Sequence, residues 1–429
     1  MSFQRYPEYK DSGVEWLGKV PAHWNVKRLK QNLRLLTEKT DRRTNPVALE
    51  NIESWSGRFI PTETEFEGEG IAFDKGDILF GKLRPYLAKA LLAEAAGEAV
   101  GDFHVMRPQA DVHARFAQYE ILNRSFIDIV DGATFGSKMP RASWDFLASM
   151  PLPTPPYAEQ TAIATFLDHE TAKIDALVAE QEKLIALLQE KRQAVISHAV
   201  TKGLNPNAPM KDSRVEWLGE VPAHWEVKRL KYLGDAFIGL TYDPQDVTDS
   251  ESGTLVLRSS NVQGGQIVYD DNVYVGMNIP EKAITREGDI LICSRNGSRA
   301  LIGKNALIDR QSAGVAFGAF MTVFRSPFNS YLRWVLNSQL FEFQSGAFLT
   351  STINQLTVSN LYGFEIPLPP ESNRKEISAF LDTATRRIDV LIAEARTAIT
   401  LLQERRTALI SAAVTGQIDV RNWSVSESA

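Results

Sequence analysis

The stretch KDSGVEWLGKVPAHWNVKRLK, Lys10 to Lys30, is written again as KDSRVEWLGEVPAHWEVKRLK, Lys211 to Lys231, the two differing only at Gly13/Arg214, Lys19/Glu220 and Asn25/Glu226. A chain that spells such a segment twice folds it twice, which predicts an internal repeat with a pseudo-two-fold relation between its halves. A second pair supports this: FLDHETAKIDALVAEQEKLIALLQEKRQAVISHAVT from Phe166 is matched by FLDTATRRIDVLIAEARTAITLLQERRTALISAAVT from Phe380. Each is introduced by a proline cluster, MPLPTPPYAEQ and IPLPPESNRKE, whose fixed φ and missing N–H groups predict the end of a domain just before a helix.

Between these blocks lie two dissimilar segments that share a skeleton. KGDILFGKLRPYLAKALL parallels EGDILICSRNGSRALIGKNALI, HVMRP parallels MTVFRSP, and ATFGSKMPRASWDFL parallels AFLTSTINQLTVSNL. Apolar runs at Asp77–Phe80 and Asp289–Ile292 follow a Gly turn and lead through a polar break into another apolar run, which predicts strand, turn, strand. RFAQYEILNRSFIDIV and SYLRWVLNSQLFEFQ have the spacing of short helices. The expected fold class is therefore α+β. It comprises a leader at 1–30, an α+β domain at 31–156, a helical spacer at 157–203, a second leader at 204–231, a second α+β domain at 232–370, a second helical spacer at 371–416 and a tail at 417–429.

No Gly or Pro interrupts Ala158–Thr201 or Ser372–Thr415, so each is expected to run as one helix. Ile174, Leu177, Gln181, Leu184, Leu188, Lys191 and Val195 step by three and four, and so do Ile388, Leu391, Ala395, Ala398, Leu402, Arg405 and Leu409. Such stripes want a partner helix, and the economical partner is the other copy. The expectation is two long antiparallel helices forming a coiled-coil spacer that separates the two α+β domains, packed through Ile174, Leu177, Leu184, Leu188, Val195, Ile388, Leu391, Leu402 and Leu409. Trp16, Trp24, Trp217 and Trp225 are read as anchors where each leader meets its domain.

Catalytic and metal constellations are missing. The chain has no phosphate-binding G-x-x-x-x-G-K-[ST] loop, no H-E-x-x-H, no Gly-rich dinucleotide fingerprint and no Asn-Pro-Pro-aromatic motif of the kind amino-methyltransferases use. Its one cysteine, Cys293, allows neither an internal disulfide nor a multi-Cys zinc site. His23 and His224 are a repeated pair within PAHW, better read as packing and turn residues than as metal ligands. No apolar run approaches the ~18 residues of a membrane span, and the opening MSFQRYPEYK lacks an apolar signal core, so a cytoplasmic, non-membrane protein is expected.

A formal charge of −6 argues against a uniformly basic nucleic-acid binder. Local charge says otherwise. GKLRPYLAK carries Lys82, Arg84 and Lys89 with Tyr86, and SRNGSRALIGK carries Arg295, Arg299 and Lys304 around Asn296 and Ser298. Further on, TFGSKMPRAS offers Ser137, Lys138 and Arg141 where the other copy has Ser351, Thr352, Asn354 and Gln355. RSSNVQGGQ, with Arg258 and Asn261, and ENIESWSGRF stand early in their domains as further candidate loops. These residue types reach base edges and phosphates, and they sit at corresponding places in both copies with different side chains.

Two divergent domains, each entered through VEWLG.VPAHW.VKRLK and left through PLP and a long FLD...ID.L.AE helix, closely resemble the specificity subunit of type I restriction-modification systems across essentially the whole chain. That resemblance implies a non-catalytic subunit with two target recognition domains joined by helical spacers, each domain reading one half of a bipartite, asymmetric site in double-stranded DNA. It implies assembly with two modification (methyltransferase) subunits and with restriction (nuclease-translocase) subunits. S-adenosylmethionine, and ATP with Mg2+, are expected in those partners, and no cofactor on this chain. The repeat would offer equivalent docking surfaces to two identical partners. One stretch departs from the pattern: SNRKEISAFLDTATRRID is more basic than its sibling, and different contacts are expected at the second helix start. A duplicated coiled-coil scaffold for proteins, without DNA specificity, is the competing expectation, and an enzyme hidden in one variable domain is a third.

Overall fold

The computed structural model describes residues 4–41, 44–62, 68–134, 139–216, 218–348 and 355–424. They form two compact units, Met1–Gln181 with Arg396–Ala429, and Glu182–Ala395. Trp217, Ser137, Lys138, Ser351, Thr352 and Asn354 lie outside the described residues.

Two long helices contribute to both units: α1 (Tyr157–Lys202) and α2 (Glu371–Val414). Each begins after a Pro-Pro pair and stops at a glycine in the left-handed region, Gly203 at φ +77° and Gly416 at φ +73°. Both glycines are also pressed onto a leader. A Cβ on Gly416 would stand 2.4 Å from Pro21, and one on Gly203 would stand 3.1 Å from the Trp225 ring.

In the first unit, Ile163, Phe166 and Leu167 near the start of α1 share a core with Leu409, Ile410, Ala413 and Val414 at the end of α2. In the second unit, Ile196, Ala199 and Val200 at the end of α1 share a core with Ile377 and Leu381 near the start of α2. Within each unit the helix segments therefore run antiparallel. The seam differs from the expected stripe. Ile174, Leu188, Ile388 and Leu409 are buried and Val195 and Leu402 are half-buried, but Leu177, Leu184 and Leu391 are exposed. Ile392 is buried instead and packs with Leu188, Ile388 and Ile185. The covered positions of α1 step 174, 178, 181, 185, 188, 192, 195, so the expected stripe shared every other position and missed those between by one residue.

The sequence pattern could not choose between these phases, because apolar residues stand at both 184 and 185 and at both 391 and 392. Ion pairing favours the observed one. Arg192 Nε lies 3.0 Å from Asp389 Oδ1 in the second unit, and Arg406 Nε lies 3.2 Å from Asp175 Oδ1 in the first. These are the same pair of the repeat, each placing an arginine stem in the seam and its head at the edge.

Each unit is built on a four-stranded antiparallel sheet. The first has β1 (Leu33–Leu36), β2 (Ile78–Gly81), β3 (Ala90–Leu92) and β4 (Phe103–Pro108) in the order β1-β4-β2-β3. The second has β5 (Asp235–Ile238), β6 (Ile290–Cys293), β7 (Asn305–Leu307) and β8 (Met321–Arg325) in the order β5-β8-β6-β7, the same threading. Ile78 and Phe80 of β2 face the core made with helices Ala114–Ile121, Arg124–Gly132 and Trp144–Ser149, while Leu79 faces a smaller sheet. Ile290, Ile292 and Leu291 divide in the same way. Burial on both faces explains why the central strands read as unbroken apolar runs rather than as alternation.

The leaders belong to these units. After a short hairpin, Asn25–Arg28 pairs antiparallel with Pro151–Thr154, and Glu226–Arg229 with Glu365–Leu368. The proline clusters are thus strands closing each domain onto its leader, as well as stops before a helix. A strand with one free edge tolerates prolines there. Trp24 and Trp225 are buried at this junction and Trp16 is half-buried. His23 Nε2 sits 2.8 Å from Glu159 Oε1, Trp24 Nε1 donates to Glu159 Oε2 at 2.5 Å, and His224 Nε2 sits 3.0 Å from Asn373 Oδ1. The change from Glu159 to Asn373 is the different contact at the second helix start. Among the described residues no helix is long and apolar enough to cross a membrane, and no cluster of His, Cys, Asp and Glu is placed to hold a metal.

Candidate nucleic-acid interface

The loop after β2 and the segment before helix Trp144–Ser149 come together in the first unit. An isolated antiparallel bridge joins Leu83 to Arg141, with Arg84 N donating to Pro140 O at 2.9 Å and Ala142 N to Lys82 O at 2.9 Å. In the second unit the loop after β6 meets the segment before helix Val358–Gly363, and the bridge joins Arg295 to Gln355, with Leu356 N donating to Ser294 O at 2.7 Å. Two loop pairs picked out separately in the sequence are therefore neighbours in space, and they meet in the same manner in both copies.

A third position completes each cluster. Lys82 N donates to Asp102 O at 2.7 Å, and Ser294 N to Phe320 O at 3.0 Å, so Asp102 and Phe320 occupy the corresponding place just before β4 and β8. The chemistry diverges here. Arg141 Nη2 is 2.9 Å from Asp102 Oδ2 in an exposed ion pair. The Arg295 guanidinium instead lies over the exposed Phe320 ring, 5.2 Å from its centroid. Beneath the first cluster, His104 Nε2 donates to Ala142 O at 3.0 Å while Nδ1 has no partner, and burial pushes its imidazole down to about 4, so it is neutral at physiological pH.

The other expected residues divide by exposure and partner. Arg84 and Tyr86 are exposed, Arg84 in the left-handed region at φ +50°, where a non-glycine residue costs energy. Lys82 is half-buried. Ser298 and Arg299 are exposed at the turn, whose Asn296 accepts from Ser298 N at 3.0 Å and donates to Ser259 Oγ at 3.1 Å. Lys304 is half-buried, with Nζ 3.5 Å from Ser259 O.

Three expected readers have structural duties instead. Lys89 Nζ donates to Leu49 O at 2.7 Å, and burial lowers its ammonium pKa. Arg258 Nη2 pairs with Asp271 Oδ2 at 2.8 Å. Asn261 is buried: its Oδ1 accepts from Arg258 N at 2.9 Å and its Nδ2 donates to Val268 O at 3.0 Å, so it holds its own loop closed and cannot reach a base. Asn51 does the same work in the other copy, accepting from Ala48 N at 2.8 Å and donating to Ile60 O at 3.1 Å.

The sequence pattern did not reveal the buried ion pair that pins β2 to β4 and β6 to β8. Asp77, buried, takes a two-pronged contact from Arg107 at 2.7 and 2.6 Å, and buried Asp289 takes the same from Arg325 at 2.8 and 2.7 Å. Hydrogen bonding to Asp77 and to Asp289 raises the two guanidinium pKa values further. The signal was available. The Asp of GDIL and the Arg of MRP and FRSP are charged residues kept at matching places in two otherwise divergent segments. Cys293 is buried, and desolvation pushes its thiol pKa up, the opposite of an activated nucleophile.

Residues 222–400 match the sequence model of the family described as type I restriction modification DNA specificity domain. The chain is similar to the type I restriction enzyme EcoDI specificity subunit of Escherichia coli, 25% identical over 207 residues that cover 45% of this chain and 46% of that one, so the match spans less than half of that relative's length. A putative type I restriction enzyme MjaX specificity subunit of Methanocaldococcus jannaschii is 24% identical over 450 residues, covering 98% of this chain and 99% of the relative. A solved chain from work on complex assembly and conformational transition of the type I R-M system shares the fold at a TM-score of 0.70 and 17% identity, covering 92% of this chain and 98% of that chain.

Proposed function

We propose, from the premise that the chain belongs to the family of type I restriction-modification specificity subunits, that it gives such a complex its DNA sequence specificity. Each recognition domain reads one half of a bipartite, asymmetric site in double-stranded DNA. The carrying observation is the pair of loop clusters: the same two loops bridged beside the same sheet, Leu83 to Arg141 and Arg295 to Gln355, with unlike side chains on a like frame. A repeated frame with divergent contacts is what two different half-sites require.

The chain is the non-catalytic member of the complex and works in the cytoplasm. It recruits two adenine methyltransferase subunits through its repeated parts, and restriction subunits for cleavage. Methylation needs the target adenine out of the stack, and the partner that binds S-adenosylmethionine performs that step, while ATP and Mg2+ serve the restriction subunits. The lengths of α1 and α2 set the gap between half-sites, each added residue contributing ~1.5 Å of helix.

Mapping of adenine methylation in cells that express this chain with its modification partner, beside cells lacking the chain, tests the reading. A new motif of two short half-sites with a fixed unspecified gap is the expected result. Absence of any motif from a stoichiometric complex would overturn the reading and favour the scaffold expectation. Inserting four residues into both helices is expected to lengthen the gap by about two base pairs, since ~6 Å of helix corresponds to two steps of ~3.4 Å.

A further inference from the structure

We propose that Arg295, carried on the ring of Phe320, reads a guanine in the half-site of the second recognition domain, and that the first domain has no equivalent ring-backed reader at its corresponding bridge. This rests on the DNA-specificity reading above and names a residue and a base for it.

Four observations carry the assignment. Arg295 is exposed at the bridge that brings the two candidate loops together. Its backbone is fixed twice, by that bridge to Gln355 and by Arg295 N donating to Phe320 O at 3.1 Å. Its guanidinium face rests on Phe320, a ring left 58% exposed. Stacking on one face steadies the plane and leaves the N–H edges free to point outward. Finally, its charge is not cancelled: Arg295 makes no ion pair among the described residues, whereas Arg258, Arg286 and Arg325 of the same domain each pair with a carboxylate. A pre-set, uncancelled fork matches the O6 and N7 acceptors that guanine presents in the major groove.

The first domain shows what the alternative looks like. At its bridge the one arginine is Arg141, on the other side, but Asp102 stands where Phe320 does and binds it, while Arg84, exposed one residue beyond the bridge, is stacked on no ring among the described residues. The position opposite Arg141 is Leu83, which can only touch apolar groups. At the bridge positions, therefore, the same frame presents a free guanidinium in one domain and a neutralised one in the other.

The test uses the purified complex of this chain with its modification partner, after the wild-type methylation motif has been mapped. Dissociation constants at one salt concentration are measured on duplexes in which each base pair of the site is replaced in turn. The wild-type complex is expected to lose about 5- to 150-fold at one G·C pair of one half-site, the equivalent of 1–3 kcal/mol. Arg295→Ala is expected to bind that altered duplex as tightly as the natural one, while every other position keeps its penalty. Arg295→Lys retains charge without the two-pronged edge and should lose most of the same discrimination. Phe320→Ala should show a smaller relaxation at the same position. Uniform weakening of Arg295→Ala on all duplexes, with the discrimination intact and Arg295→Lys unaffected, would make the residue a phosphate contact and overturn the proposal. Unchanged binding would overturn it too. If the wild-type complex yields no bipartite motif, the broader reading itself has failed and this assignment falls with it.

Discussion

Position by position, the domain around β1–β4 and the domain around β5–β8 share three devices and part company most plainly at two places. Both thread the main sheet alike, both pin it with an aspartate and arginine, Asp77 with Arg107 and Asp289 with Arg325, and both close an early loop with a buried asparagine, Asn51 and Asn261. They differ in the small sheet. In sequence order its four strands lie 1-3-4-2 in the first domain, running from Lys39–Thr40 to Pro46–Val47, and 1-3-2-4 in the second, running from Val247–Thr248 to Ala316–Phe317. They differ again at the cluster of Leu83, Asp102 and Arg141 against Arg295, Phe320 and Gln355. The buried polar groups that pin the sheet and close the early loop are held constant. Polar groups that can face a ligand are the ones allowed to vary.

The shared aspartate–arginine pair is where the comparison breaks hardest. Arg325→Ala would leave Asp289 buried with a single backbone donor, Arg286 N at 2.8 Å, and should cost about 3 kcal/mol. Arg107→Ala should cost less, because Arg107 is the more exposed partner, 36% against 21% for Arg325. Hydrogen exchange resolved by segment measures both. Equal protection losses in the two domains would mean the difference in solvent access has no energetic weight.

The asparagines should behave as twins. Asn51→Ala and Asn261→Ala each strand the loop donors and acceptors they satisfy, for about 1–3 kcal/mol of local stability. Exchange should speed up in 48–62 for one and in 258–272 for the other. If either substitution instead altered the recognised sequence while leaving exchange unchanged, the structural role would be wrong.

Much of this plan was legible in the residues. The repeat exposed the two leaders and the two helices because identity survives only where the same contacts are made twice, and the strand-turn-strand skeleton survived in GDIL and its counterpart. Loop pairs could be matched by order alone. What stayed hidden depends on direction. Leu184 against Ile185 and Leu391 against Ile392 differ by about 100° around a helix of 3.6 residues per turn, and either row satisfies an apolar pattern. Asn261 looks like a base reader until its amide is seen to be used within its own loop. The pairing of Asp102 with Arg141 joins residues far apart in the chain through a backbone bridge that no local pattern announces.

A difference between the domains also yields a test with a pH signature. Glu120, in helix Ala114–Ile121, is buried with Oε1 unpartnered, whereas Val335 occupies the matching place in helix Asn329–Leu336. Desolvation raises the Glu120 carboxyl pKa well above the ordinary range. Because the folded value exceeds the unfolded one, about 4.3, the protonated group is tolerated at low pH, and stability is lost as pH rises through the folded value. Glu120→Val should therefore stabilise the first domain, by about 1–3 kcal/mol at neutral pH, with a smaller gain near pH 4. Denaturation followed across that range reads it out, and a gain that does not depend on pH would mean the carboxyl is not paying a desolvation cost.

The smallest effect expected concerns the ion pair that the two units repeat between their helix segments. Arg192 with Asp389 and Arg406 with Asp175 are the same ion pair of the repeat, but the second arginine also donates to Trp55 O at 2.9 Å, in the turn after the short helix Leu49–Asn51, and only 12% of its side chain is exposed against 25% for Arg192. Partly exposed pairs contribute roughly 0.2–1 kcal/mol, so Arg192→Ala should fall within that range. Arg406→Ala also strands a backbone carbonyl and should cost about 1 kcal/mol more. The helix pair is symmetric in sequence at this point, so any excess for Arg406 reports the Trp55 loop, which has no counterpart bonded to Arg192 among the described residues. A double-mutant cycle with Asp175 and Asp389 separates the two contributions. Equal coupling energies for the two pairs, with unequal costs for the single arginine substitutions, would locate the asymmetry in the Trp55 loop and not in the helices.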